Sequence, residues 1–186
     1  MKKLLITPII VFSFFISFAQ NENPYKYFKT ENNQFVYEAI FSMDSLNSSQ
    51  IESLLLSNLP MAKSVTNVKS SNGIITANFV NLIIDWRKFG GTLTGSTMFM
   101  RDPFNGNIII QIKNGKYKVI VNSLMCNISL AAPLSNQIEN KLNSIETLFL
   151  NYKMEYKTKE SIVDAGKVME LQLNDIFTIK PIKSDW

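Results

Sequence analysis

What this chain could do chemically is narrowed first by histidine, of which it has none. That removes His-dependent nucleophile triads, Cys-His dyads and His-ligated zinc sites. A Ser-Lys pair in the S-x-x-K form does not occur either. Paired carboxylates remain open, because a glycosidase-type acid and base need only lie roughly 5 to 10 Å apart in space, at any separation in sequence. Glu38, Asp44, Asp85 and Asp102 are the candidates for such a hydrolase, although Glu38 and Asp85 read more simply as residues of a solvated strand face and a strand end. No acidic run has the spacing of a calcium loop. Gly90-Gly91-Thr92-Leu93-Thr94-Gly95-Ser96-Thr97 approaches a phosphate-binding loop, but Ser96 stands where that pattern needs the lysine that reaches the phosphates. A plain loop is the better reading, and no cofactor is implied.

Two further groups could carry chemistry. Lys113, Lys116 and Lys118 crowd one side of a hairpin tip, with Arg87 and Arg101 as possible neighbours. As a function this is a small anion-binding patch for a phosphate, an acidic glycan or a lipid headgroup. As structure it is a lysine-bearing strand that resists edge-to-edge pairing, which is the commoner use. Cys126 is the sole cysteine, so no intrachain disulfide forms. Its neighbours Leu124, Met125 and Ile128 make it a small buried apolar residue rather than a reactive thiol.

The elements that must position these groups are organised around Asn107 to Asn122. Asn114-Gly115 suits a type I′ turn, and a two-residue loop sets the register: Lys113 faces Lys116, Ile112 faces Tyr117, and Ile108 faces Val121. Side chains alternate, so Ile108, Ile110, Ile112, Tyr117, Val119 and Val121 share one face. Before the hairpin, Phe35 to Met43 alternates as a half-buried strand, and Ser49-x-x-Glu52 predicts a capped helix over 49–59 that Pro60 ends. Ser64 to Lys69 and Gly73 to Trp86 are strands joined at Asn72-Gly73, the second bending at a bulge near Val80-Asn81. A short strand is expected around Thr97 to Arg101, a turn at Asp102 to Gly106, and a final edge strand at Met125 to Leu130. Ile138, Leu142, Ile145, Phe149 and Tyr152, then Ile162, Ala165, Met169, Leu173 and Ile176, recur at helical spacing and predict two amphipathic helices. Those helices are expected to cover both faces of the sheet, since Val36, Ile40, Ile109 and Ile120 fall on the parity opposite the main core.

A 46% hydrophobic fraction with 13 Phe and 6 Tyr among 186 residues is that of a globular chain able to bury a core. Lys2 and Lys3, the apolar stretch Leu4 to Ile16 and the small residues Ser17 and Ala19 compose a secretory signal cleaved between Ala19 and Gln20. The stretch is shorter than a membrane span, so the mature chain is expected to have none and to be exported, whether periplasmic, cell-surface or secreted. Removing Lys2 and Lys3 lowers the formal charge from +4 to +2. That near-neutral balance gives no reason to expect nucleic acid, which needs clustered basic residues. The division expected is residues 1–19 as signal, 20–34 as flexible lead-in, 35–130 as an α+β domain and 131–186 as a C-terminal helical segment.

The order strand, capped helix, antiparallel strands, with Lys113-Asn114-Gly115-Lys116-Tyr117-Lys118 at the last strong hairpin, resembles exported bacterial domains of unknown function described as having a TATA-binding-protein-like fold. The matching pieces are Tyr37 to Leu59, Gly73 to Asp85 and Asn107 to Asn122, within Phe35 to Leu130. The six hairpin residues meet the family's pattern of lysine, acidic or Asn, glycine, basic, aromatic, basic, and many members end in tryptophan, as Trp186 does here. The resemblance implies a curved, mainly antiparallel sheet of five to seven strands packed on helices, and it brings no activity. The expectation is a non-enzymatic binding or interaction module of the cell envelope with a protein or glycan partner. The alternatives are a carboxylate-dependent envelope hydrolase and a carrier of an apolar ligand. Amino-terminal sequencing of the protein recovered outside the cytoplasm should read from Gln20, and a product that still begins at Met1 would contradict the signal.

Overall fold

The computed structural model describes residues 22–90, 98–131 and 138–179. The expected signal sequence with its Ala19 and Gln20 junction, residues Gly91 to Thr97 of the expected loop, and Trp186 lie outside the described residues. The elements are β1 (Phe28–Glu31), β2 (Gln34–Ser42), α1 (Ser48–Asn58), β3 (Val65–Ser71), β4 (Ile74–Leu82), β5 (Phe104–Lys113), β6 (Lys116–Ala131), β7 (Ile138–Ser144), α2 (Ile145–Phe149) and α3 (Glu160–Phe177). The strands form one antiparallel sheet in the order β1-β2-β6-β5-β4-β3, with β7 pairing the far half of β6. This is the α+β architecture the pattern predicts.

The β5–β6 hairpin has the expected register, from Lys113 opposite Lys116 through Ile112 opposite Tyr117 to Asn107 opposite Asn122. Ile108, Ile110, Tyr117, Val119 and Val121 are all buried. The turn differs in detail: only Gly115 of the pair takes a positive φ, +72°. Asn114 is committed elsewhere, its Oδ1 accepting from the Ser48 N–H at 2.9 Å, while the Gly115 N–H donates to Leu46. The turn is thus shaped by docking on the β2–α1 connection. The pairing of two positive φ values that a type I′ turn needs occurs instead at Asn32-Asn33 and at the expected Asn72-Gly73. Asn81, also at positive φ, sits where the β4–β5 register shifts, at the predicted bulge.

Several boundaries move. The lead-in is ordered from Tyr25, which is buried, and β1 folds back on β2. The capping box is Asn47-x-x-Gln50, reciprocal in both bonds, whereas Glu52 accepts from the Ser70 hydroxyl. Residues Met98–Arg101 form a 3-10 turn, and β5 begins within the expected turn, at Phe104. Met125 to Leu130 continues β6 and is no edge, because β7 pairs with it. The first C-terminal helix is mostly that strand. Of its supposed apolar stripe, Leu142 and Tyr152 are 57% and 90% exposed, whereas Ile145 and Phe149, in the single turn of α2, are buried.

The core lies between the inward face of the sheet and the helices. Phe28 stacks on Phe35 with centroids 4.5 Å apart, Phe35 on Phe149 at 5.3 Å, and Tyr25 meets all three edge-on. Tyr25 also lies against Gly166 of α3, where a Cβ would come within 2.3 Å of its ring. Ile51 and Leu55 of α1 and Met169, Leu173 and Phe177 of α3 join the same cluster.

Helix α3 holds the main chain with two buried polar side chains. The Glu170 carboxylate accepts from the backbone N–H groups of Tyr27 and Phe28 on Oε1, at 2.5 and 2.7 Å, and of Lys26 on Oε2, at 3.3 Å. Gln172 accepts from the Asp85 N–H at 2.6 Å and donates to the Ile83 carbonyl at 2.8 Å. Hydrogen bonds to a charged acceptor contribute about 1.5 to 3 kcal/mol each, and orphaned buried donors cost a comparable amount. Glu170→Ala should therefore lower unfolding stability by about 3 kcal/mol in urea titration. Glu170→Gln should lose less, since its remaining oxygen still serves Tyr27 and Phe28.

Candidate binding surface on the open sheet face

The alternation that buries one face of each strand leaves the other without cover among the described residues. The buried residues of all three helices pack into the cluster formed by the inward strand residues, so the expectation that helices would cover both faces does not hold. On the uncovered side Val36 is buried within the sheet surface, Ile109 and Ile120 are half-buried, and Ile40 is 62% exposed. The reason is the composition of this face, whose apolar residues are interleaved with Lys, Asn, Gln and Thr.

Register places these residues in cross-strand rows. One row runs Ile74, Gln111, Lys118, Ile40; the next runs Lys69, Thr76, Ile109, Ile120, Glu38; a third runs Thr66, Asn78, Asn107, Asn122. In the third row the amides of Asn78 and Asn107 are linked to each other and to Asn67, next to Thr66. Asn67 donates from Nδ2 to Asn78 Oδ1 at 3.3 Å, and Asn78 donates from Nδ2 to Asn107 Oδ1 at 3.1 Å. Each link sets which end of the next amide is donor and which is acceptor. The row floors a depression of about 690 Å³ lined by Gln34, Asn67, Lys69, Asn78, Asn107 and Asn122 among others. Asparagine is disfavoured in strands, so a row of it is a marked feature. Sequence reasoning missed it, although Asn107 and Asn122 are mirrored about the hairpin turn.

The lysine patch is on this face but divided. Lys113 and Lys116 are exposed and directly opposed at the hairpin tip. Lys118 lies 3.8 Å from Glu38, which also takes Lys29 at 3.1 Å, and Lys29 reaches Glu31 at 3.1 Å. Arg87 and Arg101 are not neighbours of the tip. They adjoin the opposite end of β5, roughly 30 Å away at strand rise, with Arg87 stacked on Trp86 at 5.1 Å.

The candidate carboxylates do not converge. Glu38 is in the ion-paired row at mid-sheet, and Asp44 packs beside Gly115 at the tip. Asp85 caps the Lys88 N–H after β4, and Asp102 closes the 3-10 turn. Asp85 does share an open groove of about 640 Å³ with Asp175, whose carboxylate is bound by Lys88 Nζ at 2.7 Å; Val80, Ile83, Phe89 and Ile176 supply its apolar wall. Among the described residues no cluster of acidic or cysteine side chains is placed to hold a metal ion. Among the described residues no helix is long and apolar enough to cross a membrane.

Two solved structures share this arrangement. One, a TBP-like protein from Parabacteroides distasonis, superposes with a TM-score of 0.53 at 14% identity, over 80% of this chain and 94% of that one. The fold is TBP-like. The second, a DUF4468 family protein from Bacteroides ovatus, gives a TM-score of 0.51 at 13% identity over 81% of this chain and 85% of that one. No protein-family model matches the chain, and no curated protein does. At such identities the likeness carries the fold and leaves the use of the TBP-like sheet to be argued from its own residues. The rings of its strands, Phe28, Phe35, Tyr37, Phe41, Phe79, Phe104 and Tyr117, belong to the inward core and its margin. The uncovered rows therefore offer no aromatic platform on which nucleic-acid bases could stack.

The groups whose ionisation is most perturbed are inside, away from this surface. Burial pushes the phenol of Tyr117 up to about 12, and its hydroxyl donates to the Phe177 carbonyl. Burial, with a smaller contribution from the Asp102 charge, pushes the Cys126 thiol up from 9.0 to about 12, and Sγ donates to the Phe99 carbonyl at 3.5 Å. Its native value exceeds the unfolded one, so its contribution to stability is complete below pH 9 and is lost as pH rises toward 12. Iodoacetamide at pH 8 should leave Cys126 unmodified in the native protein and alkylate it in urea. Cys126→Ala should unfold in alkali with a shallower dependence on pH through that window.

Proposed function

We propose that this chain is an exported, non-enzymatic binding module of the bacterial cell envelope that holds its partner on the open face of the sheet. The observation that carries this reading is the linked amide row flooring a depression on the one face the helices leave bare. A surface whose amides are already oriented by one another loses little freedom when a ligand arrives. Its lining of amides, hydroxyls and Lys69 suits recognition. An acid-base reaction would need a carboxylate pair there, and the nearest carboxylate row is occupied by Lys29 and Lys118. Export rests on the charged and apolar amino-terminal sequence ending at Ala19. The apolar wall of the groove beside α3 favours a second reading, a carrier of an apolar ligand.

Envelope fractions passed over the immobilised mature chain test the choice. The wild type should retain an envelope component that Asn78→Ala/Asn107→Ala releases, while Ile83→Asp in the groove retains it. Retention unaffected by the double variant and abolished by Ile83→Asp would replace the first reading by the second.

A further inference from the structure

The composition of the open face narrows the chemistry of what it can hold. Its outward strand positions carry five lysines, at 29, 69, 113, 116 and 118, against two glutamates, Glu31 and Glu38. Both glutamates are engaged by Lys29, and Glu38 by Lys118 as well. The net field therefore comes from Lys69 beside the amide row and from Lys113 and Lys116 at the tip. Asn107 and Lys113 are six residues apart on one strand, so the surface from row to tip extends roughly 20 Å. Over that length it presents amides first and cations after, with half-buried Ile109 and Ile120 between them.

An occupant must complement each part. Amides offer a donor and an acceptor in one plane, which suits hydroxyls that do both. Ile109 and Ile120 suit C–H surfaces, and the lysines suit acid groups. A bilayer is a poor match. Ile40 and Ile74, the exposed apolar residues of their row, are separated in it by Gln111 and Lys118, so that row offers no continuous apolar patch to enter lipid. Polynucleotides lack a ring to stack on.

Resting on the open-face reading above, we propose that this surface is a binding site for an acidic polysaccharide, with Asn78, Asn107 and Asn122 taking its hydroxyls and Lys69, Lys113 and Lys116 its acid groups. Calorimetric titration of the mature chain with polygalacturonate, alginate, hyaluronate and chondroitin sulfate tests it. Dextran, polyphosphate and phosphatidylglycerol vesicles serve as comparisons. At least one acidic polysaccharide should bind, and dextran should not. Asn78→Ala/Asn107→Ala and Lys69→Gln/Lys113→Gln/Lys116→Gln, each with unchanged circular dichroism and melting temperature, should weaken that binding by about ten-fold or more. Polysaccharide binding that ignores the asparagine pair would reduce the effect to charge attraction and overturn the site. Binding of polyphosphate or vesicles alone would also overturn it. If none of the four polysaccharides binds while envelope retention still depends on Asn78 and Asn107, the polysaccharide is wrong and the open-face reading stands; if retention ignores them too, both fall.

Discussion

A single carboxylate, Glu170, joins two segments far apart in the chain. It takes three consecutive backbone N–H groups, those of Lys26, Tyr27 and Phe28, into the core from 142 to 144 positions away. At 6% exposure the charge would be costly without partners, and the three donors supply them. The clamp has two consequences for the fold. It seats Tyr25 and Phe28 in the aromatic stack with Phe35 and Phe149, and it gives β2 a paired neighbour in β1, so that β2 lies inside the sheet. Gln172, two residues further along and so on the opposite side of the same helix, performs the matching task at Ile83 and Asp85.

With α3 fixed at both of these points, the helices lie together on one side. The open face is a result of that placement as much as of strand alternation. The surface chemistry follows: residues of one parity meet Phe177, Leu173 and Leu55, and residues of the other meet water. Asn78, Asn107 and Asn122 are on the wet parity because they neighbour Ala77, Ile108 and Val121, all buried. The same constraint that assembles the core thus lays out the amide row.

How much could be read beforehand depended on whether a feature was local. The hairpin's register needed only a two-residue loop and period-two alternation, both contained in Asn107 to Asn122. The turn's backbone did not follow, because the Asn114 side chain is bound by Ser48, which lies 66 positions away. Asn47-x-x-Gln50 and Ser49-x-x-Glu52 both satisfy a capping pattern, and the choice fell to the tertiary bond that draws Glu52 to Ser70. The stripe from Ile138 to Tyr152 matched helical spacing, yet the backbone of β6 from Met125 to Ala131 needed a partner and took it. The amide row was half visible in Asn107 and Asn122, whose facing positions the hairpin dictates. Its continuation through Asn78 to Asn67 required the β3–β4–β5 registers, which no short-range signal supplies. Lys113 and Lys116 were placed correctly together, whereas pairing of Lys118 with Glu38 depends on the β2–β6 alignment.

The packing of Tyr25 on Gly166 bears on how such a chain comes to be folded at all. A polypeptide emerges from the ribosome in sequence order, and here Tyr25 has its seat on a helix made about 140 residues after it. Until α3 has been synthesised, Tyr25 and Phe28 have no floor and the sheet lacks much of its lid. The nascent chain therefore cannot complete this core piece by piece in sequence order, and its closure waits for α3.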